Sequence, residues 1–471
     1  DKRRGSKSDG DQRLRGVGLL AEKNMIEREA HMISISPRGA KIVILWVASL
    51  LCFAVLLGTQ MSVAQTTVVF QTFLTRPSVI EAQKKIVADF EKNYPEIKID
   101  FTAIPGTDAY PKTVSSIAAG SPPGIGTAGT GWQRVWQEMG GLTSVDDVIQ
   151  RLGGKDIFDQ VMMKENLIND EAYGVPLWTS GAVIYYREDW YQEKGLTVPL
   201  TWWDLYSNAK DLTEDLNGDG SFDRYGYGIQ TGVNRHPQKV MWSFIVSNGG
   251  TVFDPEGNLN FVTPRNIETY KFLARLVWDV APPGSENIGR EDVLQSYRTG
   301  KIAQFYTAPY FLNILRDLPE LWEKTNITLV PKNKGEYGAC QKGTVSLVVF
   351  DTPRAEQAKV FAEFLMRDEN YVPFLLSDPY MMLSTKLPLR SDPNYINAPV
   401  FQPEKSKHFL EKLLEAVGHA YPLYMYYKPT LLGGAISGSR IIPDTLQKIV
   451  IDKFTAEEAV KWGEQQMREL L

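Results

Sequence analysis

Cysteine and histidine are scarce in this sequence, whose 471 residues include two cysteines and four histidines. Cys52 lies inside an apolar run, and Cys340 is the other cysteine. A disulfide framework and cysteine-based metal or redox sites are therefore excluded, and stability must come from burial of a core. No two histidines stand in the HExxH spacing or a similar one, which excludes the usual zinc-hydrolase motifs.

Common enzyme signatures are also missing from the sequence. It has no P-loop and no GxGxxG, and the nucleophile elbow Gly-x-Ser-x-Gly fails at Ser437, which has Ala435 two residues before it. A glycoside hydrolase needs only two carboxylates at a set distance, which a sequence does not reveal. A secreted hydrolase therefore stays as the lesser alternative.

Basic clusters are absent from the body of the chain. The whole sequence has 51 Lys and Arg against 56 Asp and Glu, a net charge of −5, and residues beyond 64 carry a net charge of about −9. An acidic body argues against nucleic acid or an anionic membrane as a partner.

The length predicts two or three domains with ample core.

The chain has one long apolar run, Ile42–Leu57, which follows two basic residues. This run is short for a membrane span, and Ser62-Val63-Ala64 has the small-x-small pattern of a signal-peptidase site. We interpret residues 32–64 as a signal peptide cleaved after Ala64, and residues 1–31 as an upstream or mis-start segment. The protein is then expected in the periplasm or outside the cell, and a retained anchor is the alternative.

The start of the exported part has the pattern of a β-α-β unit. Thr66–Phe70 is a short β-branched run, Ser78–Tyr94 carries apolar residues near helical spacing, and Pro95–Phe101 follows as a second strand. Such a unit predicts a parallel sheet with a right-handed crossover.

The most informative segment is Tyr173–Leu205, which reads YGVPLWTSGAVIYYREDWYQEKGLTVPLTWWDL. It predicts a strand, a helix that stops at Gly195, and a second helix that begins after Pro199. This order resembles the central signature of the extracellular solute-binding proteins of ABC importers, the maltose-binding-protein-like family. In that family YG-P leads into a strand ending YY, then a helix closed by Gly-Leu, then P-TW-(D/E)L.

Further segments are similar to the same family in the same order, so the resemblance covers roughly residues 66–471. One departure is Gly124, which stands where the family usually has Asp. The matching segments are Phe90–Phe101, Gly120–Gly124, Gly300–Tyr310, Gly343–Met366, Lys386–Arg390 and Asp452–Leu471.

The resemblance implies an α/β protein with the two-lobed periplasmic-binding-protein fold, in which mostly parallel sheets are joined by strands that cross between the lobes. Lobe 1 is expected over residues 65–177 plus 344–372, and lobe 2 over residues 178–343 plus 373–471. A ligand would close the lobes by hinge motion through its higher affinity for the closed state. The closed form would be presented to membrane permease subunits without a catalytic step, and a monomer is expected.

Aromatic residues are the main candidates for ligand contact, because sugars present apolar C–H faces that stack on Trp or Tyr. Trp132 and Tyr310 follow predicted strand ends, where ligands bind in open α/β sheets, and Trp178 lies at the first predicted crossing between lobes. Trp242 and Asn248 belong to a segment that is similar to a family turn near the cleft. Core packing is the alternative for each tryptophan.

The remaining candidates are two charged residues, two adjacent tryptophans and a glycine-rich segment near the C-terminus. Arg76 and Glu81 follow the first strand and are the charged candidates, with a solvated position as the alternative. Trp202 and Trp203 begin a predicted helix and are assigned to packing. Leu432–Ala435 stands where the family often has a cleft aromatic, which predicts room for a bulkier ligand or a contact made by the tyrosines of residues 424–427.

An oxygen-rich loop resembles an EF-hand calcium loop. Positions 1, 3, 5 and 9 carry oxygen side chains, and position 6 is glycine. Position 12 is Gly226 rather than a bidentate Glu, so a further ligand would have to come from elsewhere. The pattern predicts structural Ca²⁺, with an ion-free Asx turn as the alternative. The four predicted ligands are Asp215, Asn217, Asp219 and Asp223.

The leading hypothesis is therefore an importer component that binds a small-molecule carbohydrate, expected to be an oligosaccharide. A binding protein for a glycerol-phosphodiester or a polyamine is the second hypothesis. The first of these ligands would need convergent cationic or backbone donors and the second would need carboxylates, and the sequence shows neither cluster.

Overall fold

The computed structural model describes residues 65–232, 237–334, 342–421 and 430–470. The predicted signal peptide, Cys340 and the tyrosines of residues 424–427 lie outside these ranges. The strands are β1 (Thr66–Thr72), β2 (Ile97–Ala103), β3 (Ile125–Gly129), β4 (Leu167–Ile168), β5 (Glu171–Ala172), β6 (Val175–Gly181), β7 (Val183–Arg187), β8 (Gln304–Thr307), β9 (Thr325–Thr328) and β10 (Lys342–Val349).

Helices separate most of these strands. Within the described ranges, no helix is both long enough and apolar enough to cross a membrane. The helices are α1 (Pro77–Asn93), α2 (Gly106–Ala118), α3 (Trp132–Glu138), α4 (Asp146–Arg151), α5 (Gln160–Asn166), α6 (Glu188–Glu193), α7 (Trp202–Asp211), α8 (Pro237–Ser247), α9 (Pro264–Asp279), α10 (Arg290–Arg298), α11 (Tyr310–Leu315), α12 (Pro319–Lys324), α13 (Ala355–Met366), α14 (Asp368–Leu376), α15 (Pro393–Ile396), α16 (Glu404–Gly418), α17 (Leu431–Gly438), α18 (Ile441–Val450) and α19 (Ala456–Arg468).

The first β-α-β unit forms as predicted. β1 lies parallel to β2, with Val68 opposite Ile99, and α1 connects the two strands. Helix α1 buries Ile86 and Phe90 on one face, as its helical spacing requires. It begins one residue before Ser78, with Pro77 in its first turn, where the missing N–H has no helical partner to lose.

The larger sheet has the order β2-β1-β3-β10-β6 and carries both kinds of pairing. β1 pairs in parallel with β2 and β3, whereas β10 is antiparallel to β3 and β6. The smaller sheet, β8-β7-β9, is antiparallel throughout. The expectation of mostly parallel sheets is therefore corrected. The larger sheet is mixed, because β10 runs antiparallel to β3 and β6, and the smaller sheet is antiparallel.

Two large hydrophobic cores define two lobes. The core of lobe 1 contains Val68, Trp178 and Val345, and the core of lobe 2 contains Ala182 and Trp242. The chain thus passes from one core to the other near the end of β6. This arrangement matches the expected two-lobed α/β architecture.

The structure differs from the lobe boundary that was expected after residue 372. Phe374, Leu389 and Tyr395 pack in the core of lobe 1, while Tyr380 and Leu383 pack in the core of lobe 2. Helix α14 causes this extension, since it packs on α1 and α13 of lobe 1. Residues 373–395 therefore contribute to both cores rather than to lobe 2 alone.

Trp202 and Trp203 begin α7 and were both assigned to packing. The structure agrees for Trp202 and differs for Trp203. Thr201 caps α7 by accepting from the N–H of Asp204, whose carboxylate accepts from the N–H of Thr201. The ring of Trp202 stacks on Phe272 with centroids 4.5 Å apart. Trp203 is 66% exposed, which corrects its assignment to packing, because consecutive helical residues face different directions.

Candidate functional site

Arg76 and Tyr310 come together where the two lobes meet. Arg76 immediately precedes α1 of lobe 1 and forms an ion pair with the buried carboxylate of Asp378. Its guanidinium carbon lies 5.4 Å from the ring centroid of Tyr310, the first residue of α11 in lobe 2. Arg290 approaches the same ring at 5.0 Å. Two cations that are distant in sequence therefore flank one aromatic ring.

A cavity of about 100 Å³ opens beside this cluster. It lies at the carboxyl end of β8, beside the amino end of its antiparallel neighbour β7. Its lining combines aromatic rings, hydroxyl and amide groups and cations, including Arg76, Gln230, Lys239, Arg290, Thr307 and Tyr310. Such a mixture suits a ligand that has both apolar faces and hydrogen-bonding groups.

Burial shapes the electrostatics of this cavity. It raises the pKa of the Tyr310 hydroxyl, so the phenol stays protonated and able to donate a hydrogen bond at neutral pH. Burial is also the largest cause that lowers the pKa of Arg76, and the positive charge of Arg290 acts in the same direction. Arg76 remains a cation nonetheless, because a guanidinium does not deprotonate in proteins.

Trp132 lies at the end of β3, as predicted, within an aromatic cluster of lobe 1. Gly131 adopts the left-handed conformation (φ 79°) and turns the chain from the strand into α3. The Trp132 ring lies 5.1 Å from Phe73 and 5.4 Å from Tyr110, centroid to centroid, and remains half-buried. Helix α17 of lobe 2, which contains the Leu432–Ala435 segment, contacts α3. Trp132 stays a predicted ligand contact, outside the lining of the cavity beside Tyr310.

Glu165 supports this strand end and was not identified from the sequence. Its Oε1 accepts hydrogen bonds from the N–H of Gly131 at 3.0 Å and from the hydroxyl of Thr344 at 3.1 Å. Burial raises the pKa of Glu165 to about 6, although these hydrogen bonds act in the opposite direction. The residue lies in α5 among ordinary helical residues, so no sequence motif marked it.

Three predicted ligand contacts lie in the interior instead. Trp178 is 6% exposed in the core of lobe 1, and Trp242 is completely buried in the core of lobe 2. Asn248 is buried and donates to the carbonyl of Arg265 at 2.8 Å. In this structure Trp178 and Trp242 pack in the two cores, Asn248 stabilises the turn after α8, and none of the three lines the interlobe cavity.

Glu81 lies apart from the cavity. It occupies the exposed face of α1, one turn beyond Arg76, and it is not among the residues that line the cavity. Of the two charged candidates, the structure therefore brings only Arg76 to the interlobe cavity.

A largely buried ion cluster, which we call the crossing triad, consists of Lys342, Asp159 and Arg390. The Lys342 ammonium donates to both carboxylate oxygens of Asp159 at 2.8 Å, and Arg390 donates to one of them at 2.8 Å. Burial alone would raise the pKa of Asp159, but the two cations outweigh burial and lower it. Lys342 begins the crossing strand β10 and also approaches the carbonyl of Val417 in lobe 2. The triad therefore ties both lobes to one strand.

The predicted calcium loop closes on itself through hydrogen bonds. The Asp215 carboxylate accepts from the N–H groups of Gly218 and Gly220, and the Asp223 carboxylate accepts from Leu216. These backbone donors lower the pKa of Asp215. In the parts of the chain that the structure describes, no group of three or more His, Cys, Asp or Glu is arranged to hold a metal ion. The Ca²⁺ site therefore stays a prediction.

Comparison with known proteins agrees with this geometry. A curated protein of Brucella abortus, named only as a binding protein, is 24% identical over 302 residues, 62% of this chain and 70% of that protein. The arabinooligosaccharide-binding protein of Halalkalibacterium halodurans is 27% identical over 203 residues, 41% of this chain and 43% of that protein.

A solved ABC transporter solute-binding protein of Thermotoga lettingae, bound with α-D-tagatose, has a TM-score of 0.71 and 20% identity over 86% of this chain and all of that one. This likeness confirms the two-lobed α/β fold. The profile of the bacterial extracellular solute-binding proteins matches residues 76–372, more than half of the sequence. The chain therefore belongs to the bacterial extracellular solute-binding protein family.

Proposed function

We propose that this protein binds a carbohydrate between its lobes and delivers it to the permease of an ABC importer. The observation that carries the proposal is the interlobe cavity at the end of β8. There the Tyr310 ring offers a stacking face, while Thr307 and Gln230 offer hydrogen-bonding groups. The relative named for arabinooligosaccharides and the solved structure that holds tagatose support the same ligand class.

Ligand admission requires the lobes to move apart. The cavity of about 100 Å³ is smaller than typical small-molecule sites, which have volumes of about 300–1,000 Å³. A sugar would therefore enter an open form and select a closed form, with the crossing strands β6 and β10 as the hinge. An oligosaccharide that extends beyond the cavity would reach the aromatic cluster around Trp132.

The alternatives have less support. A polyamine needs several carboxylates in its site, and none of the described residues that line the cavity is acidic. The relatives and solved neighbours are binding proteins, which supports a function without a catalytic step. Release of product from a glycoside would instead support the hydrolase alternative.

Export by a cleaved signal peptide is part of the proposal. Membership in an extracellular family supports it, together with the apolar run and the small-x-small site before residue 65. Amino-terminal sequencing of the exported protein should give Gln65 as the first residue. A chain that retains residues 32–64 in the membrane would contradict cleavage.

The protein is also expected to be a monomer, which size-exclusion chromatography with light scattering would measure.

A thermal-shift screen against mono- and oligosaccharides tests the ligand class. A ligand that binds only the folded state raises the melting temperature by mass action, and a carbohydrate should do so here. A shift with polyamines or phosphodiesters and with no sugar would overturn the proposal. The same samples should release no product from glycosides.

A further inference from the structure

The lining of the interlobe cavity is positively charged. Arg76, Lys239 and Arg290 are cationic, and no Asp or Glu belongs to the lining among the described residues. These cations come from three separate places in the sequence, which explains why no basic cluster is visible there. The positive lining stands in contrast to the net negative charge of the chain.

Helix geometry increases this positive potential. Arg76 is the N-cap of α1, Lys239 lies in the first turn of α8, and Arg290 is the first residue of α10. The N-terminus of a helix carries a partial positive charge, so cations are unfavourable there and anions are favourable. The first turn of α10 also contains Glu291 and Asp292, which offset its dipole, whereas the first turns of α1 and α8 contain no acidic residue. An anionic group bound beside Arg76 and Lys239 would therefore be favoured by these two helix ends.

The acidic partners of Arg76 and Arg290 do not belong to the lining. Asp378 pairs with Arg76, and Glu291 accepts from Arg290 Nη2 at 2.6 Å. The Glu291 side chain is 73% exposed, so water screens its pair with Arg290, which is worth little. An anionic ligand held inside the cavity would therefore compete effectively for Arg290.

We infer that the ligand is an anionic carbohydrate, a sugar whose carboxylate or phosphate group is bound by Arg290, Arg76 and Lys239 while its ring packs on Tyr310. This inference rests on the proposed function and narrows its ligand class. Arg guanidinium groups match both kinds of anion through paired hydrogen bonds. The neutral sugars of the same length would lack this charge-assisted contact.

A matched ligand panel tests the inference on the purified protein. Thermal shift and calorimetry would compare neutral xylo-, arabino- and malto-oligosaccharides with oligogalacturonides, aldouronic acids, glucose 6-phosphate and galactose 6-phosphate. We expect the tightest ligand to be acidic, by about ten-fold or more over its neutral counterpart. The uronate and phosphate arms separate the two sources of negative charge.

Each outcome of the panel has a defined meaning. A preference for an acidic sugar supports the inference. A tightest ligand that is neutral overturns the inference and leaves the proposed function standing. No binding of any sugar overturns the proposed function, and the inference with it.

A variant and its control test which residue recognises the charge. Arg290→Gln should weaken binding of the acidic sugar about ten-fold and leave its neutral counterpart within about two-fold. Arg298→Gln, at the exposed far end of the same helix, should change neither. Affinity for the acidic sugar should also fall as salt rises, because ions screen the contact. Equal loss in both Arg variants, or affinity independent of salt, would overturn the assignment to Arg290.

Discussion

The crossing triad and the interlobe cavity both gather charged residues from distant parts of the chain, but they place the counter-charges differently. In the crossing triad, the Asp159 carboxylate lies between Lys342 and Arg390. In the cavity, three cations belong to the lining, whereas the carboxylates that pair with Arg76 and Arg290 lie outside it. The triad is closed by its own carboxylate and serves the fold, whereas the cavity presents cations to a ligand and serves recognition.

Removing the central charge of the crossing triad should have the largest effect. Asp159→Asn would leave the buried Lys342 and the half-buried Arg390 without their carboxylate, and breaking a buried ion cluster costs about 3–5 kcal/mol of unfolding free energy. Urea denaturation at pH 7 measures this loss. The control is Asp89→Asn, which breaks a surface pair with Lys92 and should cost less than about 1 kcal/mol. Similar losses in both variants would contradict the structural role of the triad.

The triad should also give the protein a defined sensitivity to acid. The pKa of Asp159 is lowered in the folded state, so its stabilisation is present above the unfolded pKa and is lost as pH falls through the folded pKa. The wild type should therefore lose its stability advantage over Asp159→Asn in strong acid. An advantage that does not change with pH would show that Asp159 is not charged in the folded protein.

The stabilisation that Glu165 contributes should depend on pH in the opposite direction to that of Asp159. Its pKa is raised from 4.5 to about 6, so its stabilisation is present below pH 4.5 and is lost as pH rises through 6. Between pH 4 and pH 7.5, the unfolding free energy of Glu165→Gln should rise by about 2 kcal/mol relative to that of the wild type, as measured by urea denaturation. Glu411→Gln, on the exposed face of α16, should differ by less than about 0.5 kcal/mol. No relative gain for Glu165→Gln would mean that Glu165 is not buried as described.

Trp132 tests how far the ligand extends from the cavity. Trp132→Ala would remove a half-buried ring at the edge of lobe 1, and loss of a stacking face should weaken oligosaccharide binding about ten-fold. Calorimetry measures this change. Trp278→Ala removes a 56% exposed ring from lobe 2 and should leave affinity unchanged. An unchanged affinity for Trp132→Ala would assign this residue to packing alone.

Calcium should give the smallest effect. If Asp215, Asn217, Asp219 and Asp223 hold Ca²⁺, millimolar Ca²⁺ should raise the melting temperature by about 1–2 °C over chelator, and Asp215→Asn should abolish the difference. No shift in the wild type would leave the loop as an Asx turn closed by its own hydrogen bonds.

The sequence predicted features that depend on local pattern. The β-α-β start, the strand before Trp132 and the two-lobed fold follow from apolar spacing, from turn residues and from the order of family-like segments. Trp132 and Tyr310 do follow strand ends, and Arg76 does follow the first strand, as the sequence predicted, while their contact with a ligand stays a prediction.

The remaining site residues depend on contacts that no local pattern records. Lys239 and Arg290 look like ordinary helical cations until the fold brings them to Tyr310. Trp242 and Trp203 show the converse: a sequence identifies a tryptophan, but only packing against distant elements decides whether it is buried or exposed. Mixed strand pairing likewise arises at crossings that join residues more than 150 positions apart.

A crystal structure of the protein with the saccharide that gives the largest thermal shift is the sharpest test of anionic-sugar binding between the lobes. We expect a sugar between the lobes, with its ring against Tyr310 and its anionic group within hydrogen-bond distance of Arg290 or Arg76. A saccharide bound outside the interlobe cavity, or one that meets neither arginine, would contradict this expectation.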